Sequence, residues 1–221
     1  MHDGEAERSF LVVSVPDSPD ARLFVELSSF GADLSQARHA LSLAAEGGVD
    51  VRELLLGFAV VAYCRTVLPS NVRGRLTEYI SIPEELIDVH DQVKSFRNGT
   101  IAHSQSDLAV TYLLGVLDAL TLDVCDITAG TVSSSLPRLV VARFETLVEV
   151  MDVLLDAAIE PVRARLTRAL GQVDPQLLIA ADRPRVVERF EHEFAPRTRR
   201  RPYPGSHTVH WQANDGLADA H

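Results

Sequence analysis

The chain has 221 residues, of which 46% are hydrophobic and 24% are charged, an ordinary globular composition that can form one packed domain with an appendage. Its formal net charge is −10, from 31 acidic and 21 basic residues. This balance argues against a protein that coats nucleic acid through a general positive field, although it leaves room for a local basic cleft.

Several enzyme and metal-site classes lack their sequence signals. No Walker A loop, GxGxxG, GxSxG or HExxH occurs, so nothing supports a P-loop, dinucleotide-binding, α/β-hydrolase or zinc-protease site. Cys64 and Cys125 are far apart among apolar residues, which predicts buried free thiols rather than a zinc ribbon. His207 and His210 have no third ligand nearby, and we expect neither a metal nor a cofactor.

Residues 1–32 are predicted to form a lead with one short β-prone segment, FLVVSV at 10–15, which Pro16 ends. The first ten residues, MHDGEAERSF, contain no apolar segment of the kind found in signal peptides. The longest apolar run, 54–63, is far too short to span a bilayer. We therefore expect a cytoplasmic protein with no membrane partner.

A helical domain is predicted over 33–170. Apolar residues at spacings of three and four begin near Asp33 and predict a first helix that ends at the Gly47-Gly48 pair. A second helix, predicted from about Asp50 to Pro69, is apolar nearly all round, so we expect it to be central and buried.

The third predicted helix begins at Ser81-Ile82-Pro83-Glu84, which has the residues of a capping box with proline in the first turn. Its apolar stripe, at spacings of three, four and three, ends beside Arg97. His90 on this helix is predicted to be a surface or interface residue. Asp91 is a candidate to hold Arg97, although a helix carboxylate is more often only solvated.

An insertion at about 108–132 is rich in β-branched residues and alternates in hydrophobicity, which predicts a β-hairpin; a helix over 106–117 fits almost as well. A long helix follows from Pro137 to Leu170, with a kink expected at Pro161. Residues 171–221 are predicted to be a polar, partly flexible tail.

The tail contains one short amphipathic piece near 183–194. Its basic cluster at 197–201, with Tyr203 and Trp211 nearby, has the charge and aromatic residues for RNA contact, although such a tail is more often only solvated.

The stretch FRNGTIAHS, residues 96–104, carries the residue types for phosphate chemistry. Metal-independent RNA cleavage needs groups that transfer protons and a cation that stabilises the charged phosphorane. His103 suits the proton transfers because its pKa lies near neutrality, and Arg97 suits the phosphate because its planar guanidinium donates bidentately. The Asn98 amide can orient a phosphate or the imidazole.

The spacing of Arg97 and His103 requires a departure from the α-helix. Six residues of unbroken α-helix leave the two side chains about 120° apart, on different faces. Both residues of the Asn98-Gly99 pair tolerate positive φ, so we expect one helix to end there and the next to begin, turning both side chains into one cleft.

This arginine, followed by a polar residue and then by histidine after five intervening residues, resembles the signature of the HEPN superfamily in its bacterial defence and toxin forms. The resemblance implies a mostly α fold, an up-and-down helical bundle. The small β-hairpin insertion predicted after the motif is not part of the minimal HEPN bundle. It implies a homodimer in which two motifs face one cleft. His103 would be the general acid/base, Arg97 the phosphate-binding cation and Asn98 a supporting residue.

The function implied by the resemblance is that of a metal-independent endoribonuclease acting on RNA, with an antitoxin or a sensor protein as a further candidate partner. A catalytically inactive HEPN-like module that binds RNA, nucleotide or a partner protein is the alternative. A helical scaffold in which Arg97 and His103 only satisfy helix ends is the third interpretation. Gln105 stands where many HEPN toxins carry a tyrosine, so control through that tyrosine is not expected.

Overall fold

The computed structural model describes residues 11–101, 107–181, 185–190 and 206–212, together with residues 192, 195 and 203. Its α-helices are α1 (Pro19–Glu46), α2 (Val49–Val67), α3 (Ile87–Phe96), α4 (Arg138–Leu170) and α5 (Pro175–Ala180). Its strands are β1 (Ala109–Leu117), β2 (Val124–Ser133), β3 (Arg185–Phe190) and β4 (Ser206–Gln212). Short 3₁₀ turns lie at Leu76–Glu78 and Glu84–Leu86, and a π-helical segment at Arg97–Ile101. The predicted mostly α fold with a small antiparallel hairpin is confirmed.

The chain divides into two compact units, one formed by Leu27–Ile159 and the other by residues 1–26 with residues 160–221. The first unit contains the main core, to which α1, α2, α3 and α4 each contribute a buried apolar face. Tyr63 of α2 lies at its centre, fully buried, with its ring edge-on to Phe144 of α4 at 5.4 Å between centroids. Aromatic pairs prefer this arrangement because the positive edge of one ring meets the negative face of the other.

A buried carboxylate links α1 to the chain that follows α2. Asp33 is 9% exposed and forms salt bridges with Arg65, at 2.7 Å, and with Arg73. The Arg73 guanidinium also donates to Ser29 Oγ at 2.8 Å and lies over the Phe30 ring, 4.5 Å from its centroid. The carboxylate is thus compensated for its loss of water by two cations.

The predicted hairpin is present, and both of its faces are open to solvent. β1 pairs antiparallel with β2, from Ala109 opposite Ser133 to Leu117 opposite Val124, with a register irregularity after Val116. Most residues of the two strands are exposed. Cys125 is among them, so the prediction of two buried thiols is wrong for this residue and holds only for Cys64, which is buried. A hairpin that lies apart from the core does not cover its own apolar side chains.

The second unit is held by polar contacts near its chain termini. Arg165 of α4 binds the Asp20 carboxylate through two hydrogen bonds of 2.9 and 2.7 Å. Tyr203 donates its hydroxyl to the Val15 carbonyl at 2.7 Å, and β3 pairs with β4 in parallel. The short amphipathic piece expected near 183–194 is therefore largely a strand, and residues 171–221 contain more regular structure than their polar composition indicates.

Helix α1 begins fourteen residues earlier than predicted. Ser18 accepts a hydrogen bond from the Ala21 N–H at 3.1 Å, and Pro19 follows as the first helical residue. A serine cap followed by proline is a strong helix start, because proline lacks the N–H that the first turn leaves unpaired. No strand forms over the described part of FLVVSV, at 11–15, so the β-prone segment predicted there is not seen.

Two predicted features of the next helices are also wrong. α2 is only partly buried, since Val51, Leu54 and Phe58 are exposed by 53%, 76% and 48%. The capping box does not form, because a 3₁₀ turn intervenes before α3 and no side chain caps either element. By contrast, α4 covers the predicted long helix and continues through Pro161. Within the described residues, no helix is long and apolar enough to cross a membrane.

Candidate functional site

The candidate site lies where α3 passes into the π-helical segment Arg97–Ile101. Val89 and Val93 of α3 are buried in the core and fix the helix by its apolar face. The Arg97 N–H is shared between the carbonyls of Lys94 and Val93, as the α-helical hydrogen-bond pattern gives way. π-helical turns are rare and occur frequently at functional sites.

The predicted form of the helix break is wrong, because the chain forms a π-helical segment there. Gly99 does not adopt positive φ, since the described glycines include none with positive φ and Leu122 is the non-glycine residue that does. The backbone therefore departs from α-helical geometry by widening its turn, not by a left-handed stop at Asn98-Gly99. The convergence of Arg97 and His103 on one cleft stays a prediction, because the π-helical segment ends at Ile101 and His103 lies outside the described residues.

Arg97 and Asn98 are placed together. The Arg97 guanidinium donates from Nη1 to Asn98 Oδ1 at 3.1 Å, and Arg97 is half-buried whereas Asn98 is exposed. This bond occupies one guanidinium donor and fixes the amide so that its NH₂ group remains a donor. The pair therefore presents N–H donors from both side chains, which is a suitable arrangement for an anion.

Arg97 differs in its partners from the arginines that stabilise the fold. Arg143, for example, donates from Nη2 to Asp88 Oδ1 at 2.6 Å and to the Glu85 carbonyl at 2.8 Å. Arg73 and Arg65 share Asp33. Within the described residues, Arg97 forms no salt bridge, and Asp91, its predicted holder, instead lies 3.5 Å from Lys94 Nζ. The positive charge of Arg97 is not neutralised by a described carboxylate.

His103, the predicted general acid/base, lies outside the described residues, as do 102 and 104–106. The described geometry of the site therefore does not include His103. Thr100, in the π-helical segment, has a buried Oγ1 with no hydrogen-bond partner within the described residues. Buried hydroxyls are normally paired, and residues 102–106, which follow this segment, lie outside the described residues.

A buried polar pair lies on α2 and α3 within two turns of Arg97. The Tyr63 hydroxyl and His90 Nδ1 share a hydrogen bond of 2.7 Å, and the rings meet edge to face. Burial lowers the pKa of His90, and the Lys94 charge lowers it further. Burial also raises the pKa of the Tyr63 hydroxyl, with the Cys64 and Asp91 charges acting in the same direction. The prediction of a surface position for His90 is wrong: this residue is 7% exposed.

The positive charge of Arg97 also acts on Cys64 of α2. Burial raises the pKa of the Cys64 thiol to about 11, and the positive charges of Arg97 and Lys94 oppose that rise. His90, Lys94 and Arg97 follow one another at spacings of four and three, so they share one stripe of the helix. This spacing is the signal in the sequence that places Lys94, which pairs with Asp91, beside Arg97.

The remaining candidates are only partly described. The basic cluster at 197–201 lies outside the described residues, and the side chains of His207, His210 and Trp211 in β4 are not described. Tyr203 is engaged with Val15. In the described part of the chain, no three histidine, cysteine or acidic residues are grouped as metal ligands.

No family model matches the sequence, and neither a curated protein nor a solved structure matches it significantly. The functional interpretation therefore depends on the residues of the motif and on their geometry.

Proposed function

We propose that the chain is a metal-independent endoribonuclease of a defence or toxin system, built on a HEPN-like helical bundle and active as a homodimer. Arg97 binds the scissile phosphate, Asn98 supports it, and His103 is the general acid/base. The observation that carries the proposal is the Arg97–Asn98 pair in a π-helical turn, joined at 3.1 Å and without a salt bridge to Arg97 among the described residues.

The charge of Arg97 supports a role in binding rather than in folding. A guanidinium that already shares its charge with a carboxylate gains less from a phosphate, because the carboxylate must first be displaced. Arg97 has no such described competitor, whereas Lys94, one turn earlier, lies 3.5 Å from the Asp91 carboxylate. Arg97 therefore raises the local potential in a chain whose net charge is −10.

In the proposed reaction, His103 removes the proton from the ribose 2′-OH, and the 2′-oxygen attacks the adjacent phosphorus. The bond from phosphorus to the 5′-oxygen breaks, and that oxygen takes a proton from a general acid. The products are a 2′,3′-cyclic phosphate and a free 5′-hydroxyl. Arg97 stabilises the extra negative charge of the phosphorane, which is greater than that of the starting phosphodiester.

The test is cleavage of labelled total RNA in EDTA by the wild-type chain and by single variants. We expect His103→Ala to lower the rate at least about a hundredfold, the usual contribution of a general acid/base. Arg97→Ala should lower it comparably, whereas Arg138→Ala, which removes an equal charge at the exposed start of α4, should leave it within about twofold.

A further variant tests the role of the Arg97–Asn98 pair. Asn98→Asp keeps the shape of the side chain but places a carboxylate oxygen beside Arg97 Nη1. The new charge pairs with the guanidinium and competes with the phosphate, so cleavage and RNA binding should both fall. Equal cleavage by the wild type, His103→Ala and Arg97→Ala would refute the nuclease. RNA or nucleotide binding without cleavage would identify the alternative, an inactive binding module.

A further inference from the structure

The pair Asn98-Gly99 has a chemical reactivity that the proposed reaction does not use. Asparagine is thermolabile, and it loses its side-chain amide most readily before glycine. The backbone nitrogen of the next residue then attacks the amide carbon, and glycine places no side chain in its path. The chain has three asparagines, Asn71, Asn98 and Asn214, of which only Asn98 is followed by glycine. Asn98 is also exposed, so that water has access to its side chain.

The backbone at Asn98 has already departed from the α-helix, which would otherwise slow this reaction. Ring closure needs a rotation of the backbone that α-helical hydrogen bonds oppose. α3 ends one residue before Arg97, whose N–H is shared between the carbonyls of Lys94 and Val93. Asn98 follows within the π-helical segment Arg97–Ile101. Because helix ends open at a small cost in free energy, a local opening of this turn is enough to permit the rotation.

Arg97 activates the Asn98 amide for attack. The guanidinium donates from Nη1 to Asn98 Oδ1 at 3.1 Å. This hydrogen bond draws electron density away from the amide carbon. The positive charge also stabilises the negative oxygen that forms when a nitrogen adds to that carbon. The contact that orients the amide in the candidate site is thus also the contact that makes the amide carbon more electrophilic.

We propose that Asn98 is a site of spontaneous deamidation, and that the carboxylate formed there disables the anion site by pairing with Arg97. The Gly99 nitrogen forms a bond to Asn98 Cγ, and the bond from Cγ to Nδ2 breaks. The departing nitrogen takes the proton of the Gly99 amide and leaves as ammonia, so that a five-membered succinimide remains. One water molecule then opens the ring on either side of the nitrogen, which gives aspartate or isoaspartate at position 98.

The product places a negative charge beside the phosphate-binding cation. The Asn98 Oδ1 atom is already within hydrogen-bond distance of Arg97 Nη1, and a carboxylate oxygen there forms a stronger, charge-assisted bond. A phosphate must then displace this carboxylate before it binds Arg97. This consequence rests on the proposed function, whereas the deamidation itself does not. The reaction would limit the working life of the site without any second protein.

The first experiment is incubation of the full chain in mildly alkaline buffer, followed by peptide mass spectrometry, in which deamidation adds about 1 Da. Asn71 is the internal control, because it is exposed like Asn98 but precedes the β-branched Val72. We expect Asn98 to react at least about tenfold faster than Asn71, and Gly99→Ala to slow Asn98 by a similar factor. Arg97→Ala should slow it about threefold, the effect of one exposed charge. Circular dichroism checks that both variants keep their helices.

The second experiment separates the deamidated chain from the fresh chain by ion exchange, since deamidation adds one negative charge. Binding of a single-stranded RNA oligonucleotide is then measured for both fractions. We expect the deamidated chain to bind at least about tenfold more weakly than the fresh chain.

An Asn98 that reacts no faster than Asn71, or as fast in Gly99→Ala as in the wild type, would overturn the proposed modification site. Equal RNA binding by the two fractions would overturn its effect on Arg97. A fresh chain that deamidates at Asn98 but neither binds nor cleaves RNA would refute the proposed function together with that effect, and would still establish the deamidation site.

Discussion

Replacing Asp33 by alanine is expected to destabilise the unit formed by Leu27–Ile159 strongly. The Asp33 carboxylate is the shared partner of Arg73 and Arg65, and the side chains of Asp33 and Arg73 are only 13% and 11% exposed. Removing one member of such a pair leaves the other cation partly buried without a counter-charge. Arg65 is 45% exposed and can be solvated when its partner is lost.

The size of the expected change in the free energy of unfolding follows from these exposures. Breaking a buried pair costs about 3–5 kcal/mol, and the lower limit applies here because Arg73 keeps its hydrogen bonds to Ser29 Oγ and the Arg65 carbonyl. The more exposed Arg65 pair adds at most about 1 kcal/mol. We therefore expect Asp33→Ala to lower the free energy of unfolding by about 3 kcal/mol, which is a large fraction of the 5–15 kcal/mol that typical domains have.

Urea denaturation followed by circular dichroism measures this change, provided that the slope of the free energy against urea stays constant. Asp152→Ala is the matched control, because Asp152 also pairs with an arginine at 2.7 Å, but with side chains that are 22% and 55% exposed. It should cost less than about 1 kcal/mol. A loss below 1 kcal/mol for Asp33→Ala, or a double-mutant coupling to Arg65 that exceeds the coupling to Arg73, would refute the reasoning.

Two further predictions concern the buried groups beneath the candidate site. Because burial lowers the pKa of His90, the unfolded chain binds more protons below the ordinary pKa of 6.5; stability from this residue is full above that pH and is lost as the pH falls toward the lowered pKa, by up to about 1.4 kcal/mol per unit. Urea unfolding at several pH values should show this loss in the wild type and a shallower one in His90→Gln; equal slopes would contradict it. Because the pKa of Cys64 is raised to about 11, only about one thiol in a thousand is ionised at pH 8, so iodoacetamide should label the exposed Cys125 first. Rapid labelling of Cys64 in the native protein, measured by mass spectrometry, would show that this thiol is accessible.

The elements with a strong local signal are those that the sequence predicts well. α2 and α4 follow from apolar periodicity, which acts over a few neighbouring residues. The hairpin had a weaker signal, because a helix over 106–117 fitted the same residues almost as well. The early start of α1 was missed because the turn-rich residues around Ser18-Pro19 also form a helix cap, and both interpretations use the same residue types. The capping box predicted at Ser81 is wrong for a different reason. Its residues are those of a capping box, but the backbone forms a 3₁₀ turn before α3 begins.

The candidate site was predicted in its residue types but not in its supporting contacts. Arg97 and Asn98 are adjacent in sequence, so their contact is local and could be expected. The burial of His90 depends on Tyr63, which is 27 residues away and lies on another helix, and no periodicity within α3 identifies such a partner. The widened turn at Arg97–Ile101 was expected as a left-handed break, because Asn-Gly most often adopts positive φ.

The acidic net charge bears on how such a site would select RNA. A chain with a net charge of −10 gains little from the long-range attraction that holds coat proteins on nucleic acid. Binding of the proposed RNA substrate would then come from a few close contacts, such as that of Arg97, and these act within a Debye length of about 8 Å at physiological salt. A dimer would double the number of these contacts, since each copy supplies its own Arg97. Through its two copies, a homodimer thus offers an acidic protein more phosphate contacts without requiring a basic surface on the single chain.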